Sequence, residues 1–145
     1  MLDWEDEKFI IYLAGFFDGE GYFGVRTSKG HRNSARVCLS NTHQGVLLLI
    51  KSRLLLYGIS SCMGETVRQK PGNRQRQWYL EVSGINNVNE ICKMMQPYLI
   101  VKHEQAELLS RFTFLRIVEG KTGTAFKAEE NQIYLKLKAL NKRGK

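Results

Sequence analysis

Proline, cysteine and long apolar runs are scarce in this chain of 145 residues. Its 2 prolines and 13 glycines are too few for a collagen-like or low-complexity protein. The 3 cysteines are odd in number and far apart, so they indicate neither a disulfide framework nor a zinc knuckle. The longest apolar run, residues 9–17, is too short to cross a bilayer, and the acidic start is unlike a basic secretory signal. We therefore expect a soluble, intracellular protein that has no membrane partner.

Acidic residues are almost absent from one long stretch of the chain. The whole chain carries 22 Lys and Arg against 14 Asp and Glu, a formal net charge of +8. Residues 22–79 contain ten of these basic residues and a single acid, Glu65, whereas residues 1–21 contain six acids and one lysine. Within the basic stretch, arginines alternate with apolar residues. This pattern favours a surface for nucleic acid over an ordinary solvated face.

The pattern of apolar residues predicts helices and strands within one domain, residues 1–145. A hydrophobic content of 43% is enough for a core, because a chain of this length buries roughly 70% of its extended-chain surface on folding. The predicted strands are 22–28, 34–40, 62–70 and 75–82, with a turn at 71–74. The predicted helices are 9–17 (N-cap Asp3, end at Asp18-Gly19), 46–57, 87–95, 104–118 and an exposed last helix at 128–140.

The order of these elements predicts an α+β fold. It reads αββαββα followed by C-terminal helices, and two ββα halves combine naturally into a four-stranded antiparallel sheet with helices on one face. We place the core of the domain at about residues 4–120 and a C-terminal helical segment at residues 121–145.

The first helix has no solvated face, since residues 9–17 contain no charge. A small domain can cover one side of such a helix with its own core, and a second surface must cover the other side. Gly15 and Gly19 lie four residues apart with Ala14 beside Gly15, so another backbone could approach closely there. The alternative is that the helix lies at the centre of a monomer's core.

One face of the predicted sheet is rich in side chains that reach base edges. Arginine reads guanine with two hydrogen bonds, glutamine reads adenine, and a sheet can lie along a major groove. The alternative is an ordinary polar sheet face, which does not explain why this face is so basic. The predicted DNA-binding residues, with turn residue Arg32 included, are Arg26, Ser28, Arg32, Arg36, Cys38, Ser40, Arg68, Lys70, Gln75, Gln77 and Tyr79.

Residues 13–21, LAGFFDGEG, resemble the signature of the LAGLIDADG homing endonucleases, with Glu20 in place of the final Asp. Ser40-Asn41-Thr42 before an apolar helix is similar to the end of the family's first half, and residues 96–106 resemble its segment around a catalytic lysine. The resemblance implies a saddle-shaped sheet and a site-specific double-strand DNA endonuclease encoded within a mobile intron. Its host could be an organelle, a phage-infected cell or a prokaryotic cell.

The chain has a single copy of this signature, and the resemblance implies that such members act as homodimers on a long pseudo-palindromic double-stranded DNA target. The motif helices then pack together at the interface. The predicted interface residues are Ile11, Ala14, Gly15, Asp18 and Gly19.

The resemblance also implies the catalytic residues. Glu20 is the expected metal ligand, assisted by the main-chain carbonyl of Gly19, while Asp18 braces the helix end. Lys102 matches the family's active-site lysine. Asn41 occupies the place of a glutamine that positions water, and His43 is the alternative for that role. Oxygen ligands without a His/Cys cluster indicate Mg²⁺, with Mn²⁺ as a substitute and Ca²⁺ expected to support binding without cleavage.

Two other functions fit the same residues. The chain could be an intron-splicing maturase or a non-cleaving DNA-binding protein on the same scaffold. It could also be a half-domain that needs a different chain as its partner. Intact Glu20 and Lys102 favour the endonuclease over a regulator that has lost its catalytic residues.

Overall fold

Five helices and four strands follow one another in the predicted order in the computed structural model, which describes residues 5–28, 31–67, 76–119 and 127–142. The helices are α1 (Asp6–Glu20), α2 (Gln44–Leu56), α3 (Ile85–Met95), α4 (His103–Glu119) and α5 (Lys127–Lys142), with a 3-10 turn at Gln96–Tyr98. The strands are β1 (Gly21–Ser28), β2 (His31–Asn41), β3 (Cys62–Val67) and β4 (Arg76–Ser83). The predicted α+β fold is confirmed.

The four strands form one antiparallel sheet in the order β1-β2-β4-β3. Alternate residues along each strand point to opposite faces. One face is apolar and buried against the helices, and it includes Phe23, Val25, Ala35, Val37, Leu39, Leu80 and Val82. The other face carries polar side chains that include Arg26, Arg36 and Glu81, as the alternation predicts. The predicted ends of the second hairpin and its turn, residues 68–75, lie outside the described residues.

Helix α1 packs on the sheet through one stripe of side chains. Phe9, Leu13 and Phe17, at a spacing of four, are all buried, and the Phe17 ring lies 5.3 Å from that of Phe23 on β1. Burial of each such side chain contributes about 1.5–3 kcal/mol. This packing fixes the end of α1 against the start of β1.

Helix α1 continues through Asp18-Gly19 to Glu20, so its predicted end is wrong. Two donors satisfy the carbonyl of Phe17 in the last turn, which supports the longer helix. The backbone N–H of Gly21 donates to the carbonyl of Phe17, and the ammonium of Lys102 donates to the carbonyls of Phe17 (3.1 Å) and Gly21 (2.6 Å). The N-cap position is Glu5, and the predicted cap Asp3 lies outside the described residues.

Helix α5 is not the exposed helix that the sequence predicted. Ile133 and Leu137 are buried in the common core, and the amide of Asn141 donates to the carbonyl of Phe23 at 2.9 Å. Since β1 is an edge strand, α5 supplies a partner for a backbone group that no neighbouring strand pairs. The C-terminal segment is therefore packed onto the domain.

No helix in the described ranges combines the length and the apolar character needed to span a bilayer.

Candidate nucleic-acid interface and metal site

The polar face of the sheet forms a groove of about 550 Å³. Five of the predicted DNA-binding residues line it, together with two others; the lining residues are Tyr22, Arg26, Arg36, Cys38, Ser40, Tyr79 and Glu81. Gln77 lies on the same face of β4, two residues before Tyr79. The side chains of Ser28 and Arg32, and all of Arg68, Lys70 and Gln75, lie outside what the structure describes.

Glu81 is the acidic residue of this groove, and it lies in no motif that pointed to a role. Its Oε1 accepts hydrogen bonds from Arg26 Nη2 at 2.8 Å and Arg36 Nη1 at 3.2 Å. The thiol of Cys38 donates to the same oxygen at 3.5 Å. Alternation along β4 could place Glu81 on this face, but only the register between strands brings it to these partners.

The electrostatics of the groove keep Arg36 charged and Cys38 neutral. Burial acts to lower the pKa of Arg36, but Cys38, Glu81 and Tyr22 outweigh burial and raise it. Burial raises the pKa of Cys38 to about 11, with Glu81 adding to the rise and Arg36 opposing it. The groove therefore presents a charged Arg36 guanidinium and a protonated Cys38 thiol at neutral pH.

The second group of predicted site residues lies at the C-terminal end of α1. Glu20 is exposed there, and the Asn41 amide Nδ2 approaches its Oε2 at 3.5 Å. The Asn41 Oδ1 accepts from the backbone N–H of His43 at 2.7 Å, which holds the amide in this orientation. His43 itself caps α2, since its Nδ1 accepts from the N–H of Val46. Of the two predicted alternatives, Asn41 is the one in contact with Glu20.

Lys102 joins Glu20 at the end of α1. Its ammonium donates to the carbonyls of Phe17 and Gly21, on either side of Glu20 in sequence. Burial lowers the pKa of Lys102, while the charges of Asp18 and Glu20 oppose the shift. The structure thus brings together three residues that are far apart in the chain: Glu20, Asn41 and Lys102.

Asp18 braces the segment that carries Lys102. Its two carboxylate oxygens accept from three consecutive backbone N–H groups, those of Ile100, Val101 and Lys102, at 2.9–3.0 Å. These N–H groups precede α4, where the helix dipole favours a negative charge. The Asp18 carboxylate is engaged in fixing Lys102.

One side of α1 is left open by the protein's own core. Ile11 is 46% exposed and Tyr12 is 39% exposed, and a Cβ atom added at Gly15 or Gly19 would meet no other atom within 4 Å. Ala14 differs from the other predicted interface residues because it is fully buried. The prediction for Ala14 is therefore corrected: its side chain belongs to the core.

The oxygen donors at the end of α1 match the ligands that Mg²⁺ prefers. They are the Glu20 carboxylate and the main-chain carbonyl of Gly19, which follow each other at an exposed helix end. Within the described residues, no three His, Cys, Asp or Glu side chains cluster into a metal site. The donor set of one chain is therefore of the right kind but incomplete.

Residues 9–96 match the family model of the LAGLIDADG-like domain. The chain belongs to the LAGLIDADG homing endonuclease family. The match includes Glu20 and Asn41 and ends before Lys102. Comparison with the curated proteins gives no match for this LAGLIDADG chain.

Solved structures of LAGLIDADG proteins share the fold. The homing endonuclease I-CvuI, in complex with the I-CreI target in the presence of Mg and with the DNA not cleaved, is 19% identical, with 93% of this chain and 83% of that chain covered and a TM-score of 0.69. The archaeal intron-encoded homing endonuclease I-Vdi141I, complexed with DNA, is 19% identical, with coverage of 94% and 86% and a TM-score of 0.68. The meganuclease I-SmaMI, bound to uncleavable DNA, is 15% identical with a TM-score of 0.63. The match covers 96% of this chain and 46% of the I-SmaMI chain.

Proposed function

We propose that this chain is a homodimeric, site-specific double-strand DNA endonuclease that is encoded within a mobile intron and acts inside the cell. One observation carries the proposal. The Asn41 amide approaches the Glu20 carboxylate and the Lys102 ammonium binds the backbone carbonyl next to Glu20, at the end of a helix whose side is open and next to a basic groove. Family membership agrees with this function.

The groove supports the binding of duplex DNA. Its arginines can reach guanine edges, and Ser40 and Tyr79 add neutral donors and acceptors. I-CvuI and I-Vdi141I, which share the fold, have both been solved with DNA. A groove of this kind in one chain would read one half of a longer target.

The open side of α1 supports a homodimer. Packing two copies of α1 about a two-fold axis would bury Ile11 and Tyr12 and bring the glycine positions of the two helices together. The two grooves would then follow each other along a pseudo-palindromic duplex. This chain covers most of I-CvuI but under half of I-SmaMI, so the longer chain has room for a second such unit.

The dimer would also complete the metal site. Glu20 and the Gly19 carbonyl would hold Mg²⁺, or Mn²⁺ in its place, and Ca²⁺ would support binding without cleavage. Two Glu20 carboxylates at the two-fold axis would repel each other unless a cation lies between them. When bound, the metal lowers the pKa of a water molecule and stabilises the leaving oxygen of the phosphodiester. I-CvuI was solved in the presence of Mg and, with its own target, in the presence of Ca.

Each chain contributes two further groups to the reaction. Lys102 has three N–H donors and uses two on main-chain carbonyls, so one is left for a phosphate oxygen. A fixed ammonium at that place stabilises the negative charge that develops on the phosphate. Asn41 holds the Glu20 side chain and is itself held by the His43 N–H.

The test begins with selection of a bound duplex from a random library in Ca²⁺, followed by addition of Mg²⁺. We expect one double-strand break in a near-palindromic site. Glu20→Gln should keep the binding and abolish the break, because it removes the charge that holds the metal. Glu7→Gln, an equal change at the exposed start of α1, should cleave like the parent protein. Cleavage by Glu20→Gln would refute the assignment of the metal ligand.

Binding without a break in either Mg²⁺ or Mn²⁺ would contradict the nuclease. The fold would then serve a non-cleaving DNA-binding protein, or a maturase if the protein protects an intron RNA. A stable monomer would instead point to a different chain as the partner.

A further inference from the structure

The groove is lined by an acidic residue, Glu81, which is unusual for a surface that binds a polyanion. Glu81 lies on β4 between its neighbours in the sheet, with its Cα paired to Cys38 on β2 and to Cys62 on β3. Its side chain is 17% exposed. A carboxylate at this place repels phosphate groups, so it needs another role.

That role follows from its contacts. One oxygen of Glu81 binds Arg26 at 2.8 Å and Arg36 at 3.2 Å, and these arginines come from two different strands. A guanidinium has five N–H donors in a rigid plane, so a bond on one edge orients the others. Glu81 therefore fixes the direction in which both arginines present their remaining donors.

Arg36 is held on a second side by an aromatic ring. Its guanidinium carbon lies 5.4 Å from the centre of the Tyr22 ring. That ring occupies the space where a side chain at residue 24 would stand, which only Gly24 leaves free. Tyr22 and Glu81 together leave Arg36 little freedom before any ligand arrives.

We propose that Glu81 is a specificity-determining positioning residue, which holds Arg26 and Arg36 ready for guanine edges and keeps them from binding phosphates of any sequence. This inference rests on the proposed DNA-binding function of the groove. Arginines fixed before binding lose less conformational freedom on the correct site. The negative charge of Glu81 also opposes backbone phosphates, and so it weakens the competing, sequence-independent binding.

The test compares Glu81→Gln with the parent protein on the selected duplex and on random duplex, in Ca²⁺. We expect the ratio of the two affinities to fall about 10-fold and the affinity for random duplex to rise. The slope of log affinity against log salt on random duplex should steepen by about 0.9 for each added phosphate contact. Base-pair positions that lose discrimination should be those that Arg26→Ala or Arg36→Ala also affects.

Glu65→Gln is the matched control. It removes an equal charge from the neighbouring strand β3, where Glu65 is paired with Trp78 on the other face of the sheet and binds Arg76 at 3.3 Å. We expect its specificity ratio and salt slope to match the parent protein. If Glu65→Gln behaves like Glu81→Gln, net charge alone explains the effect and the inference fails.

Glu81→Asp separates position from charge. It keeps the carboxylate but withdraws it by one methylene group, so the specificity ratio should fall while the salt slope stays near that of the parent protein. This variant also serves if Glu81→Gln does not fold. Loss of discrimination at a cytosine that neither arginine variant affects would show direct base reading and overturn the positioning role.

The failure of this inference is distinct from that of the proposed function. If the parent protein selects a site and both Glu81 variants keep its specificity, only the positioning role is refuted. If the parent protein selects no site, the proposed function itself is refuted.

Discussion

At the scale of single residues, Asp18 shows how the motif helix positions a distant residue of the predicted catalytic site. One carboxylate satisfies three N–H groups of the segment 100–102, and this segment carries Lys102. The ammonium of Lys102 returns to the end of α1 and binds two carbonyls there. The Asp18 carboxylate and the Lys102 ammonium therefore both connect the end of α1 to the segment 100–102.

Asp18→Ala should therefore destabilise the protein and reduce cleavage. A hydrogen bond to a charged group contributes about 1.5–3 kcal/mol. Because two of the three bonds are exposed and water can replace the carboxylate there, we expect a total loss of about 1–3 kcal/mol. The free energy of unfolding in denaturant measures it. Asp6→Ala is the control on the same helix: the Asp6 carboxylate is 76% exposed and binds Arg53 and Tyr57, so its loss should cost less than about 1 kcal/mol. Equal losses for the two variants would contradict the bracing role.

The thiol of Cys38 gives a pH-dependent probe of the groove. Only the thiolate reacts with an alkylating reagent, and burial raises the pKa of this thiol to about 11. The fraction of thiolate, and with it the labelling rate, should rise about tenfold per pH unit up to about pH 11. Mass spectrometry of the peptides distinguishes Cys38 from Cys62 and Cys92. A rate that levels off near pH 9 would contradict the raised pKa.

Part of the candidate site could be predicted from the sequence because some signals are local. Glu20 and Lys102 stand in segments that resemble a known family, and alternation placed Arg26 and Arg36 on one face. Glu81 was missed because it meets Arg26 across 55 residues of chain. Such a contact depends on the register of three strands, which the turns and the packing of the core determine together.

At the scale of elements, the main difference between prediction and structure is α5. The sequence of α5 is largely polar, which predicts an exposed helix. In the structure its apolar residues pack against α4 and the edge strand β1, which are distant in sequence or not recognisable as its partners. The end of α1 was misplaced for a similar reason, since the Lys102 that caps it is 85 residues from Phe17. Elements could be predicted from local periodicity, whereas their ends and their burial depend on distant residues.

The ion pair between Arg116 and Glu130 fastens α5 to α4. The two side chains are 10% and 6% exposed and lie 2.7 Å apart, and the guanidinium of Arg116 also lies over the ring of Phe112. Glu130→Gln should destabilise the protein by about 3–5 kcal/mol, since it leaves the buried Arg116 charge without a compensating negative charge. Unfolding in denaturant measures this loss.

The adjacent residue provides the control for that change. Glu129 pairs with Arg111 between the same two helices at 3.0 Å, but these side chains are 40% and 51% exposed. Glu129→Gln should cost less than about 1 kcal/mol. A similar loss for both variants would mean that the buried pair does not fasten α5.

At the scale of the whole molecule, three parts of α1 have different environments. Its inner stripe belongs to the core, its C-terminal end carries Glu20, and its outer side is apolar but uncovered in one chain. A second copy would cover that side, bring two Glu20 residues together and align two grooves. The proposed binding, dimerisation and cleavage thus depend on one helix.

Gly15 tests this dependence, because its substitution has opposite effects in a monomer and in a dimer. Apart from the backbone of α1 itself, nothing lies within 4 Å of a Cβ atom added at Gly15, so the single chain accommodates a larger residue. A better helix former than glycine then stabilises α1 by about 0.5–1 kcal/mol.

In a dimer with closely packed α1 helices, Gly15→Leu would hold the two backbones apart. We expect it to yield folded monomers in sedimentation and to abolish cleavage of the selected duplex. Asn131→Leu, at an exposed position of α5, should leave the dimer intact, and a Gly15→Leu protein that is still dimeric would refute this interface.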